Sequence, residues 1–203
     1  MVLWAFPSLL LLHLRLSNDY KGGHGHYEEQ RKNSISWDFL GKVMEYTGFE
    51  DCWHKWIEEC ISTSRLFTLI NGSLSVEFDV INGLRQRDPL SPSLFNMVVE
   101  GLYVLISRGT KAGLLLGIEV GRGLQITHMQ FADDSLFFIP NDVQSLLNTK
   151  RTLRWFCKCC SLRVNFHKSF LVGINVDEAY TVGLSNLLFC KFDSLPFKYL
   201  GYH

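Results

Sequence analysis

The chain has 203 residues, 47% of them hydrophobic, with 20 basic and 20 acidic side chains. That is enough apolar material for one domain with a sizeable core. Zero formal net charge excludes a strongly basic domain whose overall charge alone advertises a nucleic-acid partner.

The first sixteen residues, from Met1 to Leu16, are almost entirely apolar. They are too short for a membrane-spanning helix. They resemble the apolar region of a secretory signal, but no positive segment precedes them and no Ala-x-Ala site follows, which argues against one. A mispredicted first exon accounts for the segment better. The stretch from Asn18 to Asn33 is polar and rich in Gly and His, and reads as loop or disorder. His24 and His26 are expected to be solvated. The domain organisation that follows is a leader over residues 1–35 and a domain over 36–203.

Ser36 to Thr47 has the pattern of a helix capped by Ser36 and ended by Gly48, with Phe39, Leu40, Val43 and Met44 on one face. Asp51 to Ser62 repeats the periodicity with Trp53, Trp56, Ile57 and Cys60, and the tryptophans are expected to be core anchors. Phe67–Ile70 and Leu74–Val80 read as strands joined by Asn71-Gly72, a strong hairpin signal. Ser91-Pro92 opens a helix, with Ser91 expected to cap it and Leu94, Val98, Leu102 and Leu105 buried. Ile118–Val120 and Gln125–Phe131 read as strands, Asp142–Cys160 as a helix, and Phe166–Val172 as a return to the sheet. Mixed strands and helices argue for an α+β fold, an antiparallel sheet backed by helices.

Six cysteines occur, and Cys157, Cys159 and Cys160 cluster on the last long helix. Their spacing is not that of a zinc site, and free thiols packed as small hydrophobes are expected. Such thiols fit a nuclear or cytoplasmic protein. Residues 141–203 hold 8 basic and 4 acidic side chains, a mild positive bias that suits a phosphate backbone as well as it suits an ordinary mixed surface.

The chemistry concentrates in Phe131-Ala132-Asp133-Asp134. Apolar runs on both sides read as buried strands, which puts the acidic pair at the tip of a β-hairpin. Two adjacent anions repel, and a divalent cation removes the conflict. Mg2+ takes oxygen ligands, commonly one or two carboxylates plus substrate phosphates, and a rigid carboxylate pair suits two-metal phosphoryl transfer. An Asp-Asp dipeptide is also an ordinary solvated turn.

Upstream stands Gly83-Leu84-Arg85-Gln86-Arg87-Asp88-Pro89-Leu90-Ser91-Pro92-Ser93-Leu94-Phe95. Together with Phe-Ala-Asp-Asp this resembles the reverse transcriptases of LINE-type (non-LTR) retrotransposons, plant ones especially. Cys60-Ile61-Ser62-Thr63, Ile70-Asn71-Gly72, Leu162 to Ser169 and Leu195 to Gly201 resemble further family segments in the same order. The resemblance runs from about Ser36 to Gly201. It implies a truncated right-hand polymerase, the palm with part of the fingers, and an RNA template with DNA primer, deoxynucleotides and Mg2+ as partners. Neither a stable protein partner nor a membrane is implied. Asp133 and Asp134 are then catalytic and metal-binding. Arg85, Gln86, Asp88, Pro89, Ser91, Phe131 and Lys168 attend the template and nucleotide, and Leu200 and Gly201 begin the primer grip.

Two departures stand out. The family's third carboxylate belongs to an earlier strand, in the pattern Asp-x-x-Lys-Ala-Phe/Tyr-Asp-x-Val-x-Trp. Counting back from Trp37 puts Tyr27 in its place, with Gln30, Lys32 and Asn33 replacing the later members. Glu28 and Glu29 are acidic but out of register, and a one-residue shift on a strand reverses the face. Arg87 replaces a Gly. An incomplete two-metal site and little or no polymerisation are expected. The alternatives are a non-catalytic nucleic-acid-binding remnant and, on the leader alone, a secreted or membrane-associated protein. The chain is expected to be a fragment of a longer protein.

Overall fold

The computed structural model describes residues 8–17, 35–63, 65–67, 69–79, 82–85, 88–120 and 123–197. In chain order the elements begin with β1 (Leu9–Ser17), α1 (Trp37–Tyr46), α2 (Asp51–Ser62), β2 (Arg65–Leu66), β3 (Leu69–Ile70), β4 (Ser73–Leu74), β5 (Phe78–Asp79) and α3 (Ser91–Lys111). They continue with β6 (Ile118–Val120), β7 (Leu124–Ile126), β8 (His128–Phe131), β9 (Asp134–Pro140), α4 (Val143–Cys160), β10 (Arg163–Val164), β11 (Phe170–Ile174), α5 (Glu178–Leu188) and β12 (Lys191–Phe192). Two compact units result: Met1–Ser17 with Tyr103–Trp155 and Arg163–His203, and Asn18–Leu102 with Phe156–Leu162.

The first unit is built on a sheet in the order β12-β11-β1-β9-β8, with β10 also paired to β1. All pairings are antiparallel except β11 with β12. The central strand comes from the apolar leader. β1 pairs with β9 from Leu9↔Pro140 to Arg15↔Asp134, and with β11 from Leu9↔Ile174 to His13↔Phe170. The segment read as lying outside the domain is therefore its middle strand for residues 9–17. A central strand is covered on both faces, so its side chains can be apolar without alternation. Leu10, Leu12, Leu14 and Leu16 face one side, and Leu9 and Leu11 the other; all are buried. The Leu9–Leu11 face packs with Leu136, Val172 and Ile174 against Ile118, Val120 and Ile126 of the β6–β7 hairpin. Gly173 pairs with Leu10, and α5 presses on it so closely that a Cβ there would sit 2.5 Å from Thr181 Oγ1.

Strand β8 lies on the sheet edge, so the expected burial of the stretch before the Asp pair is corrected: Met129 and Phe131 are exposed. The predicted single strand over 125–131 is divided at Thr127, β7 pairing with β6 and β8 with β9. Asp142 caps α4, its carboxylate accepting the Ser145 N–H at 2.7 Å, and the Ser145 backbone N–H holds that carboxyl below its usual range.

The second unit begins with α1, capped as expected by Ser36, whose hydroxyl accepts the Phe39 N–H. Leu40, Val43 and Met44 are buried. α1 packs closely on α3: a Cβ at Gly101 would lie 2.8 Å from the Phe39 ring, and that ring meets Phe156 edge-on at 5.9 Å. Along α3 the buried stripe is Leu94, Val98, Leu102 and Ile106 rather than Leu105, the i, i+4 continuation of one face. Asn71-Gly72 turns between β3 and β4 with both residues at positive φ, 49° and 83°, as a two-residue hairpin turn requires.

On α2 the expectation fails. Trp53 and Trp56 remain 48% and 59% exposed, their rings meeting edge to face at 5.2 Å. Helical periodicity says which residues share a face, and burial needs a partner surface that is not among the described residues. Cys52, Cys60 and Cys159 are exposed, whereas Cys160 is buried. Burial pushes the Cys160 thiol up to about 12 and the Cys190 thiol up to about 11, in keeping with thiols that pack rather than react. No helix among the described residues is long and apolar enough to cross a membrane.

Candidate functional site

Asp133 and Asp134 sit where the hairpin reading placed them. Phe131 pairs with Asp134 across the β8–β9 ladder, leaving Ala132 and Asp133 as the two-residue turn. Ala132 adopts φ 49°, a left-handed conformation that costs a non-glycine residue roughly 1–2 kcal/mol. The turn projects Asp133 outward, its side chain 41% exposed, and leaves Asp134 at the first ladder position with 17% exposed.

The end of β1 completes the site. Arg15 is the cross-strand partner of Asp134, so the two side chains leave the same face. Its Nε donates to Asp133 Oδ2 at 2.9 Å and lies 3.9 Å from Asp134 Oδ1. Its backbone is held on both sides: the Arg15 N–H donates to Ser169 Oγ at 3.3 Å, and the Arg15 carbonyl accepts the Asn165 N–H at 2.8 Å. The Leu16 N–H donates to the Asp133 carbonyl at 2.7 Å. Two residues back on the same face, the buried His13 stacks on Phe170 with ring centroids 4.5 Å apart. His13 Nε2 stands 3.4 Å from Asp134 Oδ1, near enough for attraction. Asp134 Oδ1 is buried with no hydrogen-bond partner among the described residues. Burial lowers the His13 pKa, the nearby Asp134 carboxylate opposing the shift and the Arg15 guanidinium adding to it.

Lys168 occupies the exposed turn before β11, where its N–H donates to the Asn165 carbonyl at 3.0 Å. That turn also carries Ser169 and Asn165, the two residues that hold the Arg15 backbone. Asp133, Asp134, Phe131 and Lys168 therefore gather at one end of the sheet.

Arg85, Asp88, Pro89 and Ser91 belong to the second unit. Gly83, at φ 94°, donates its N–H to the Ile35 carbonyl at 2.9 Å, and its carbonyl accepts the Trp37 indole N–H at 2.7 Å. Exposed Arg85 reaches the Arg65 carbonyl at 3.5 Å through Nη2. The expected cap by Ser91 is replaced by Asp88, whose carboxylate accepts the Leu90 N–H at 2.7 Å and whose carbonyl accepts the Ser91 N–H at 3.2 Å. Asp reaches an amide two residues on, in an Asx turn. Gln86, Arg87, Leu200, Gly201 and the segment from Tyr27 to Asn33 lie outside the described residues.

Sequence reasoning missed Arg15 and His13. The signal was present: two polar residues, two apart, in an otherwise apolar run point to one face of a strand.

Mg2+ prefers an all-oxygen shell. Asp133 and Asp134 offer carboxylate oxygens, but the side chain facing them from the neighbouring strand is a cation that donates and cannot ligate. No group of three or more His, Cys, Asp or Glu side chains suited to a metal is found among the described residues. The donor set as it stands does not fit the ion.

The reverse transcriptase (RNA-dependent DNA polymerase) family matches residues 33–203. The chain belongs to the reverse transcriptase family. This reverse transcriptase domain is 25% identical over 179 residues to the retrovirus-related Pol polyprotein from type-1 retrotransposable element R2 of Popillia japonica, a match covering 84% of the chain and 24% of that protein. It is 33% identical over 109 residues to the Pol polyprotein from type-2 retrotransposable element R2DM of Drosophila melanogaster, covering 53% of the chain and 10% of that protein. It is also 42% identical over 71 residues to an uncharacterised mitochondrial protein of Arabidopsis thaliana, covering 34% of the chain and 58% of that protein. The chain thus spans about a quarter of the first relative's length. In fold it is similar to the apo telomerase from Candida tropicalis truncated from its C-terminal domain, with a TM-score of 0.54 at 12% identity over 85% of this chain and 32% of that one. The family match begins at residue 33, so β1, the strand that faces the Asp pair, lies outside it.

Proposed function

We propose that this domain is the palm and part of the fingers of an RNA-directed DNA polymerase of the non-LTR retrotransposon type, with polymerisation lost or crippled. The observation that carries the reading is the Asp133–Asp134 hairpin at the end of the sheet with Arg15 bonded to Asp133. In this reading Asp133 and Asp134 are the catalytic, metal-facing carboxylates. Arg85, Gln86, Asp88, Pro89, Ser91, Phe131 and Lys168 attend the template and the nucleotide. Leu200 and Gly201 begin the primer grip. The substrates are a primed RNA template and deoxynucleotides, which suit a nuclear or cytoplasmic setting.

The reverse transcriptase family generally uses Mg2+. Two carboxylates opposite a guanidinium leave that clamp incomplete. Metal ions supply several kcal/mol of charge stabilisation in such sites, and each ~1.4 kcal/mol is a factor of ten in rate. The experiment gives purified protein a primed RNA template, deoxynucleotides and Mg2+. Little or no extension is expected. Robust extension that disappears in Asp133→Ala and Asp134→Ala overturns the loss of activity.

The same ion pair favours a second reading, a nucleic-acid-binding remnant without catalysis, because carboxylates partly offset by a cation repel a phosphate backbone less. A secreted or membrane-associated protein is not proposed: residues 9–17 of the leader on which it rested form the central strand of the sheet.

A further inference from the structure

The mismatch between the acidic pair and Mg2+ has a specific cause. Two residues stand directly across from Asp134: Phe131, from its own hairpin, and Arg15, from β1. A side chain from an earlier strand that is to reach both carboxylates has the Arg15 position to do it from. We infer that Arg15 is an intramolecular cation occupying the cross-strand place from which a third ligand would complete a divalent-metal site, so that the chain folds with one of the pair's two negative charges offset and disfavours the ion. The inference rests on reading the acidic pair as a metal-facing pair.

Three observations carry it. The Arg15 guanidinium contacts one carboxylate at 2.9 Å and stands 3.9 Å from the other, and a guanidinium keeps its charge at every working pH. Its backbone is held by Ser169, Asn165 and the Leu16–Asp133 bond, so the strand cannot slide to present another residue. Guanidinium satisfies the pair only in part: Asp134 Oδ1 is buried without a hydrogen bond among the described residues, between the Arg15 and His13 nitrogens. A bound cation would complete that oxygen's shell, and one guanidinium nitrogen at 3.9 Å does not.

The test is direct Mn2+ binding to the full chain, measured by electron paramagnetic resonance without nucleic acid or nucleotide. The wild type, Arg15→Gln and Arg15→Asp are compared, with Arg15→Asp/Asp134→Asn as control. Arg15→Gln removes the charge at similar size, and Arg15→Asp adds a ligand. Expected are weak binding by the wild type, tighter binding by Arg15→Gln and the tightest by Arg15→Asp. The last gain should be at least roughly ten-fold, the lower end of what even outer-shell groups contribute to metal affinity, and the control should lose it. A thermal melt gives a second readout: Mn2+ should raise the Tm of Arg15→Asp and leave the wild type unmoved. If Arg15→Asp does not fold, Arg15→Gln alone decides, by binding Mn2+ more tightly than the wild type or not. Equal Mn2+ affinity in the wild type and both variants, or a wild type that already binds tightly through Asp133 and Asp134, overturns the inference. Neither result touches membership of the reverse transcriptase family, and the loss of polymerisation is tested separately by primer extension.

Discussion

At the scale of single residues, two histidines make the fold sensitive to acid. His128 on β8 lies against the Phe137 ring at 5.7 Å and the Tyr103 ring at 6.0 Å, and burial lowers its pKa. His13 is lowered too, burial outweighing the Asp134 carboxylate. In the unfolded chain both titrate near about 6.5. As pH falls below that value the unfolded chain takes up protons first, so unfolding becomes easier, and the loss levels off once the folded-state values are passed. The urea midpoint should therefore fall between pH 7 and pH 5, and His128→Gln should remove part of that slope. A midpoint that rises with acid, or a variant with the wild-type slope, contradicts the account.

At the scale of elements, the stability of the first unit depends on β1. A strand paired on both edges and buried on both faces contributes ladder hydrogen bonds and apolar area together. Leu12, 2% exposed, pairs with Phe137 on one side and Leu171 on the other. Leu12→Ala should destabilise by about 2–5 kcal/mol, the usual range for a buried leucine, read from denaturant unfolding. A loss well under 1 kcal/mol would mean that β1 is not held in the sheet as described. The same scale explains α2, where an apolar stripe without a partner surface among the described residues leaves Trp53 and Trp56 exposed.

At the scale of the whole molecule, charge sets what a nucleic-acid interaction can be. The chain is neutral overall, and residues 141–203 carry an excess of four basic side chains, 8 against 4. Primer-template should be retained at low salt without sequence preference. The dependence of log affinity on log salt should be no steeper than about −7, with eight basic side chains at about 0.9 per neutralised phosphate. Filter retention across a salt series measures it. No retention at low salt removes the nucleic-acid reading, and a much steeper slope shows that charge from other parts of the chain takes part.

The sequence by itself determined what depends on neighbours in the chain. Ser36 caps α1, Asn71-Gly72 turns a hairpin, and Asp142 starts α4, because caps and tight turns are decided by residues a few positions apart. Asp133 and Asp134 were legible as a hairpin tip for the same reason, and the ordered motifs carried the family. Only the tertiary structure decided which strands lie side by side. A short continuous apolar run reads equally as buried strand, buried helix or signal segment. Leu10 meets Ile139 and Gly173 only after long loops close, so nothing local marks Leu9–Ser17 as the centre of a sheet. The exposure of Phe131, the solvent-facing tryptophans and the seating of Arg15 against Asp133 arise in the same way. Each depends on whether a second surface arrives, and long-range register settles that.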